Sequence, residues 1–297
     1  MRREYKARPS GARRCCVGGA GPRPPCGLGA APRTPFLPSV SEPPVSEDPL
    51  SENPVDDFCF DPACWPEAVA RLATAATEPL DVLFDMDGTL LDGDIGDELV
   101  GWLMERGHHP EPFASEAPDF RTYHRRTRGW EREDQSVLCA RIIVGLTPGE
   151  LAGHVDRCRR ARVPWRRPVV ALARRLHRLG HRVWILTGSA EPLARVVAEA
   201  AGLDPARCIG IRLAVDPETG AYTERVVPPV SFGVGKVIAA RARLGRTAAL
   251  ALGDSLSDMH ILRTAEIGVA VPPAAGPLVE VARRAGVHVR LPEQLGG

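Results

Sequence analysis

Residues 80–89 read LDVLFDMDGT, an apolar run that ends in an acidic turn. In an extended segment, side chains two residues apart face the same side, so Asp85 and Asp87 can converge while Met86 points away. Adjacent carboxylates can bind a cation, and one can attack an electrophile while the other moves a proton. A buried strand followed by an ordinary Asp-Gly turn fits the same residues. Residues farther along the chain decide between the two interpretations.

Alternating strands and helices are predicted from Pro168 to the end of the chain, a pattern typical of an α/β fold with a doubly wound parallel sheet. Together with the run before Asp85, the predicted strands are 80–85, 183–186, 208–215, 222–226, 248–252, 267–271 and 287–291. A helix is predicted from Ile95, so it begins close to the acidic turn. Residues 108–165 contain no predicted strand, and their helix-like stretches are 116–128, 132–144 and 148–162.

Two further polar motifs follow predicted strands. Residues 187–189 (TGS) come after the run 183–186, and residues 253–258 (GDSLSD) come after the run 248–252. Ligands of doubly wound sheets bind at the carboxyl ends of the strands. We therefore expect both motifs to meet the acidic turn at one edge of the sheet.

Carboxylates dominate this edge. Asp254 and Asp258 are four residues apart near a predicted helix start, so they can share a face and join Asp85 and Asp87. Four acids together repel one another unless a divalent cation is present, and oxygen ligands suit Mg²⁺. Thr187 and the amides after it, also at a predicted helix start, offer hydrogen-bond donors to an anion.

Of the 38 lysines and arginines, only Lys6 and Lys236 are lysine. Lys236 adds a charge that can neutralise a phosphate or a nucleophilic carboxylate. Acids, a cation, a hydroxyl and a lysine around one pocket indicate a phosphoryl-transfer site. A helix cap, an exposed acidic face or a surface charge each explains one of these residues, but none explains the ordered set.

Composition sets broader limits. The 297 residues are 44% hydrophobic and 25% charged, with a net charge of +1, so bulk charge indicates neither a nucleic-acid nor a membrane partner. The longest apolar runs are shorter than a membrane-spanning helix. No Cys-x-x-Cys pair occurs among the eight cysteines, which favours reduced thiols in a cytoplasmic protein.

The first 57 residues are rich in Pro, Gly, Ser and Arg and lack apolar periodicity. Their first part is basic and their second part is acidic. We predict a disordered tail over 1–57, without the uninterrupted apolar stretch of a secretory signal.

In chain order, DMDGT (85–89), LTGS (186–189), GK (235–236) and GDSLSD (253–258) resemble the signature of the haloacid dehalogenase superfamily of phosphohydrolases. The similarity spans roughly residues 80–290 and implies a Rossmann-like core. It implies Asp85 as the nucleophile that becomes an aspartyl phosphate. It also implies Asp87 as the acid that protonates the leaving group and then activates water; carbon-halogen cleavage does not use this second aspartate. Transport ATPases of the superfamily need membrane helices, and the apolar runs of this sequence are too short to predict them.

The same resemblance implies the binding roles. Thr187, Gly188 and Lys236 would bind the phosphate. The implied magnesium ligands are Asp85, Asp254 and the carbonyl of Asp87, with Asp258 ligating or positioning.

The insertion between Leu91 and about Trp165, the segments 94–98 and 188–191 and the predicted hairpin 209–226 are most similar to the phosphoserine phosphatase branch. This implies a core made of 58–91 and 166–297, with a small helical cap domain inserted at 92–165. The branch usually has Glu where Asp94 stands, Ser where Thr187 stands and Asn where Ser257 stands. Asp94 is therefore a candidate specificity residue. Phosphoserine is the first substrate to consider within a class of small polar phosphomonoesters.

The cap leaves alternatives open. The rings of Trp102, Tyr123 and Trp130 either form the core of a helical bundle or cradle the ammonium of phosphocholine or phosphoethanolamine. Further candidates for reading a substrate carboxylate are Arg121, Arg125 and Arg128. A catalytically silent binding or scaffold protein is the alternative of another class. The sequence does not determine the oligomeric state.

Overall fold

A seven-stranded sheet lies at the centre of the computed structural model, which describes residues 58–75 and 78–295. The predicted tail lies outside the described residues. The strands are β1 (Asp81–Phe84), β2 (Arg182–Ala190), β3 (Cys208–Val215), β4 (Tyr222–Val227), β5 (Leu250–Gly253), β6 (Ile267–Ala270) and β7 (His288–Val289). Their order is β4-β3-β2-β1-β5-β6-β7. All neighbours are parallel except β3 and β4. The predicted α/β fold is confirmed.

Helices connect these strands. They are α1 (Glu67–Leu72), α2 (Ile95–Met104), α3 (Phe113–Glu116), α4 (Phe120–Thr127), α5 (Arg132–Ala140), α6 (Pro148–Arg162), α7 (Arg167–Arg178), α8 (Glu191–Ala200), α9 (Val234–Leu244), α10 (Met259–Thr264) and α11 (Pro277–Arg284). The helix predicted over 116–128 is found as α4, but it begins only at Phe120, because Pro118 interrupts the helical backbone. Asp119 then caps α4 by accepting a hydrogen bond from the amide of Thr122 at 2.8 Å.

The helices α2 to α6 form an insertion between β1 and β2. The segments that enter and leave this insertion pair with each other through a bridge between Leu91 and Trp165. The amide of Asp92 donates to the carbonyl of Pro164 at 2.8 Å, and the amide of Arg166 donates to the carbonyl of Leu90 at 2.9 Å. These contacts lie at the predicted borders of the cap, and its division from the core as a separate domain stays a prediction.

Within the described part of the chain, no single helix has the length and hydropathy of a membrane span. Two consecutive segments, Arg132–Ile143 and Pro148–Arg162, together have the length and composition of a membrane span, but a bend of 114° separates them. The cysteines of this part are all unpaired: Cys59, Cys64, Cys139, Cys158 and Cys208.

The start of β1 is held by a buried carboxylate, Asp81. Arg182 donates to it through two nitrogens at 2.7 and 3.0 Å, and the indole of Trp184 donates at 2.9 Å. Arg246, ahead of β5, donates at 2.6 Å. Asp81 is only 4% exposed, so these charge-assisted hydrogen bonds are shielded from water. They connect β1 with its neighbours β2 and β5 at the end of the sheet opposite the acidic turn.

We expect Asp81→Ala to lower the free energy of unfolding by about 2–3 kcal/mol, because it removes the shared acceptor of this cluster. Urea denaturation followed by circular dichroism measures the loss. Asp156→Ala is the control, since Asp156 pairs with Arg160 four residues away at the surface, and such pairs contribute about 0.3–0.5 kcal/mol. Equal losses in the two variants would contradict the role given to Asp81.

Candidate active site

The three polar motifs meet at the carboxyl ends of β1, β2 and β5, as predicted. They border a cavity of about 400 Å³. The predicted site residues that line it are Asp85, Asp87, Asp94, Thr187, Gly188, Lys236 and Asp254. Asp258 is fully buried and reaches the site through its contact with Lys236.

Lys236 joins two carboxylates at the base of the cavity. Its Nζ atom lies 2.6 Å from Asp85 Oδ1 and 2.6 Å from Asp258 Oδ1, and its side chain is only 3% exposed. Burial disfavours the charged ammonium, but the carboxylates of Asp258 and Asp85 outweigh this effect and raise the pKa of Lys236. The second oxygen of Asp85 accepts a hydrogen bond from Thr89 at 3.2 Å. Asp85 is therefore fixed through both oxygens.

Three carboxylates form a compact cluster beside this lysine. Oxygen atoms of Asp85, Asp254 and Asp258 lie within 4.8 Å of one another. Asp254 accepts no hydrogen bond from any residue in the described ranges, and burial together with the charge of Asp258 raises its pKa to about 7. An all-oxygen donor set with a carboxylate that lacks a donor fits a hard divalent cation such as Mg²⁺. The Asp87 carboxylate lies outside this cluster.

Gly88 shapes the same cluster. Its backbone has a φ of +71°, and a Cβ atom there would clash with the carboxylate of Asp254. Glycine therefore gives the turn both its left-handed backbone and the space for Asp254.

Asp87 is held by three donors. Its Oδ1 atom accepts from the amide of Ile95 at 2.8 Å, and its Oδ2 atom accepts from the hydroxyls of Thr187 at 3.1 Å and Ser189 at 2.7 Å. Burial raises the pKa of Asp87, and the three hydrogen bonds oppose part of that rise because they favour the carboxylate.

The prediction that Thr187 stands at a helix start is wrong. Strand β2 continues through residues 187–189 as far as Ala190, because pairing with β3 resumes at Ile211 after a shift in register. The amide of Ser189 donates to the hydroxyl of Thr187 at 2.9 Å. The motif therefore presents an extended backbone and hydroxyls to the cavity, and α8 begins only after it.

Sequence reasoning missed the cap residues that reach the cavity. Arg132 and Ser136, four residues apart on one face of α5, line it, and Arg166 lines it from the core side. A smaller hollow of about 40 Å³ continues from Asp94 to Gln135 between these elements. The predicted helix 132–144 places Arg132 and Ser136 on one face, but the sequence does not show that this face is turned toward the cavity. The arginines predicted to bind a substrate carboxylate are exposed and do not line the cavity: Arg121, Arg125 and Arg128.

The cap aromatics do not form a cage around the cavity. Tyr123 is fully buried and donates its hydroxyl to Asp97 at 3.0 Å. Trp102 packs beneath the guanidinium of Arg106, 3.4 Å from the ring centre, and Trp130 borders a separate hollow. Burial places Tyr123 and Trp102 in the cap core, as one of the two sequence interpretations predicts.

Comparisons with known proteins agree with this geometry. The sequence profile of the haloacid dehalogenase-like hydrolases matches residues 82–263. Over 164 residues, 54% of this chain, the chain is 31% identical to a phosphoserine phosphatase from Streptomyces coelicolor (strain ATCC BAA-471 / A3(2) / M145). The matched stretch is 38% of that relative, so the chain spans about two fifths of its length.

Two solved structures share the fold. A protein of unknown function from Bordetella pertussis Tohama I has a TM-score of 0.60 at 23% identity, over 71% of this chain and 98% of that one. A conserved, functionally unknown protein from Anaerococcus prevotii DSM 20548 has a TM-score of 0.58 at 13% identity, over 76% of this chain and 92% of that one.

We expect Gly88→Ala to weaken Mg²⁺ binding, because the added methyl group displaces the Asp254 carboxylate. The matched control is Gly220→Ala, since Gly220 has a φ of +72° but open space around its Cβ position. Both variants should lose about 1–2 kcal/mol of stability from the left-handed backbone. Isothermal titration calorimetry with Mg²⁺ separates them, and equal affinities would contradict the assignment of the cation to this cluster.

Proposed function

The chain belongs to the haloacid dehalogenase-like hydrolases, and on that premise we propose that it is a magnesium-dependent phosphomonoesterase for a small polar phosphorylated metabolite. One observation carries this proposal: a buried lysine holds Asp85 beside a three-carboxylate cluster while hydroxyls hold Asp87 at the same cavity. This arrangement separates a nucleophile from a proton donor. Because the signature residues gather at one cavity, their arrangement supports an enzyme rather than a catalytically silent scaffold.

In the first step, an oxygen of Asp85 attacks the phosphorus, and the bond from phosphorus to the ester oxygen breaks. Asp87 gives its proton to the departing oxygen, which leaves as an alcohol. The raised pKa of Asp87 favours the protonated form that this step requires. Thr187 and Gly188 border the cavity where the phosphoryl oxygens would bind, and Lys236 offsets the charge of Asp85.

In the second step, Asp87 takes a proton from water, and the water oxygen attacks the phosphorus of the aspartyl phosphate. The bond between phosphorus and Asp85 breaks, which releases inorganic phosphate and restores the carboxylate. Bound Mg²⁺ would be held by Asp85 and Asp254, with Asp258 beside them, and would supply positive charge for the phosphoryl oxygens.

Phosphoserine is the first substrate that we propose. Asp94 and Arg132 both border the cavity, so they offer opposite charges to an ammonium and a carboxylate. Desolvation, followed by the nearby charges of Asp87 and Asp97, raises the pKa of Asp94, and a bound ammonium would relieve this crowding. The curated relative named above is a phosphoserine phosphatase.

Phosphoethanolamine is the second candidate, because the acidic wall of Asp94 and Asp97 favours an ammonium even without a carboxylate. Phosphocholine has less support, since Trp102, Tyr123 and Trp130 do not line the cavity. Cytoplasmic location and the lack of nucleic-acid or membrane partners stay predictions.

The purified protein should release phosphate from phosphoserine, phosphoethanolamine or p-nitrophenyl phosphate when Mg²⁺ is present. EDTA should stop the reaction, and added Mg²⁺ should restore it. Asp85→Asn should lower kcat by at least about a thousandfold, because an amide cannot replace the nucleophile. Phosphate release measured with a colorimetric assay decides the matter. If the wild-type protein releases phosphate from none of these three substrates, the proposed function is wrong.

Arg132→Ala should raise KM for phosphoserine about 10- to 100-fold, the equivalent of charge-assisted hydrogen bonds worth about 1.5–3 kcal/mol. KM for phosphoethanolamine, which has no carboxylate, should stay within about twofold. The matched control is Arg128→Ala, which removes an exposed arginine that does not line the cavity. Equal changes for both substrates would argue against a carboxylate contact at Arg132.

A further inference from the structure

Ser189 makes the shortest of the three hydrogen bonds to Asp87, with 2.7 Å between its hydroxyl and Asp87 Oδ2. Thr187 donates to the same oxygen at 3.1 Å. Both hydroxyls come from the extended end of β2, where residues two apart face the same side. The strand therefore directs two donors at one carboxylate oxygen.

Ser189 also fixes the direction in which Thr187 donates. The amide of Ser189 donates to the Thr187 hydroxyl at 2.9 Å, so that hydroxyl accepts on one side and has its single hydrogen left to give. In the present structure this hydrogen goes to Asp87.

A bound phosphate changes this arrangement. The proposed function uses the Thr187 hydroxyl to bind the phosphoryl group, and a hydroxyl has only one hydrogen to donate. When Thr187 donates to the phosphate it cannot also donate to Asp87. The remaining donors to Asp87 are then the hydroxyl of Ser189 on Oδ2 and the amide of Ile95 on Oδ1.

The surroundings of Ser189 hold its hydroxyl in place. Its Oγ atom lies 2.9 Å from the position that a Cβ atom on Gly96 would occupy, so the first turn of α2 packs directly against it. The same turn supplies the amide of Ile95 to the other oxygen of Asp87. Asp87 is thus clamped between the start of α2 and the end of β2.

We propose that Ser189 is the residue that positions Asp87 for proton transfer to the leaving group while substrate occupies the site. This inference rests on the proposed function and adds a residue to it. Ser189 acts through Asp87, and the hydroxyl fixes the carboxyl group toward the ester oxygen that departs with the proton.

Leaving-group dependence tests this role. We expect Ser189→Ala to lower kcat/KM for phosphoserine and phosphoethanolamine about tenfold or more, a share of the 10²–10⁴-fold that general acid catalysis contributes. For p-nitrophenyl phosphate the loss should be less than about threefold, because its acidic phenol leaves without a proton. The parameter kcat/KM reports the steps through cleavage of the ester bond, so the shared hydrolysis of the aspartyl phosphate does not mask the difference.

Asp87→Asn should show the same dependence with larger losses. Ser231→Ala is the matched control, since it removes a fully buried hydroxyl that donates to the Thr187 carbonyl at 2.7 Å without touching Asp87. Its effect should be equal for all substrates. Ser189→Gly also lacks the hydroxyl and should reproduce the pattern of Ser189→Ala, and thermal unfolding monitors the fold of each variant.

The outcomes separate the two proposals. Wild-type activity with an equal loss for all substrates in Ser189→Ala, or with no loss, would overturn the role of Ser189 alone. Wild-type inactivity on all three substrates would overturn the proposed function and this role with it. A loss confined to the alkyl phosphates supports both.

Discussion

The buried contact of Lys236 with Asp85 and Asp258 is the interaction on which the site depends. Three carboxylates within 4.8 Å would repel one another strongly in a poorly hydrated setting. One ammonium at 2.6 Å from two of them offsets part of this repulsion. When all are ionised, three negative charges and one positive charge leave two negative charges, which the proposed divalent cation would neutralise.

The sheet makes this contact possible. Asp85 follows β1, and its neighbours on either side are β2 and β5, whose ends carry the TGS and GDSLSD motifs. The cluster at Asp81 holds these same strands together at their opposite ends. At one end of the central strands arginines thus neutralise the buried carboxylate, while the other end carries excess negative charge, which the proposed cation would offset.

Local patterns predicted most of the fold, and the failures have physical causes. Strand β3 matches its predicted bounds because β-branched Ile209, Ile211 and Val215 recur at every second or fourth position of a mostly apolar segment. The end of β2 was missed, because Thr, Gly and Ser are typical loop residues; here they are extended between Leu186 and Ala190, which both pair with β3. The helix predicted over 116–128 starts four residues later than predicted, since Pro118 precedes the capping residue Asp119.

Some features of the candidate site also follow from the sequence, and others depend on tertiary structure. Sequence by itself determined which residue types occur in which order: the acidic turn, a hydroxyl, a lysine and two late acids after predicted strands. Tertiary structure alone decided that Ser189 reaches Asp87, that Arg132 rather than Arg128 lines the cavity, and that the cap rings point elsewhere. Periodicity reports which residues share a face of one element, because that depends on backbone geometry within a few residues. A hydrogen bond between residues about a hundred positions apart depends instead on how whole elements pack, and no local pattern carries that information.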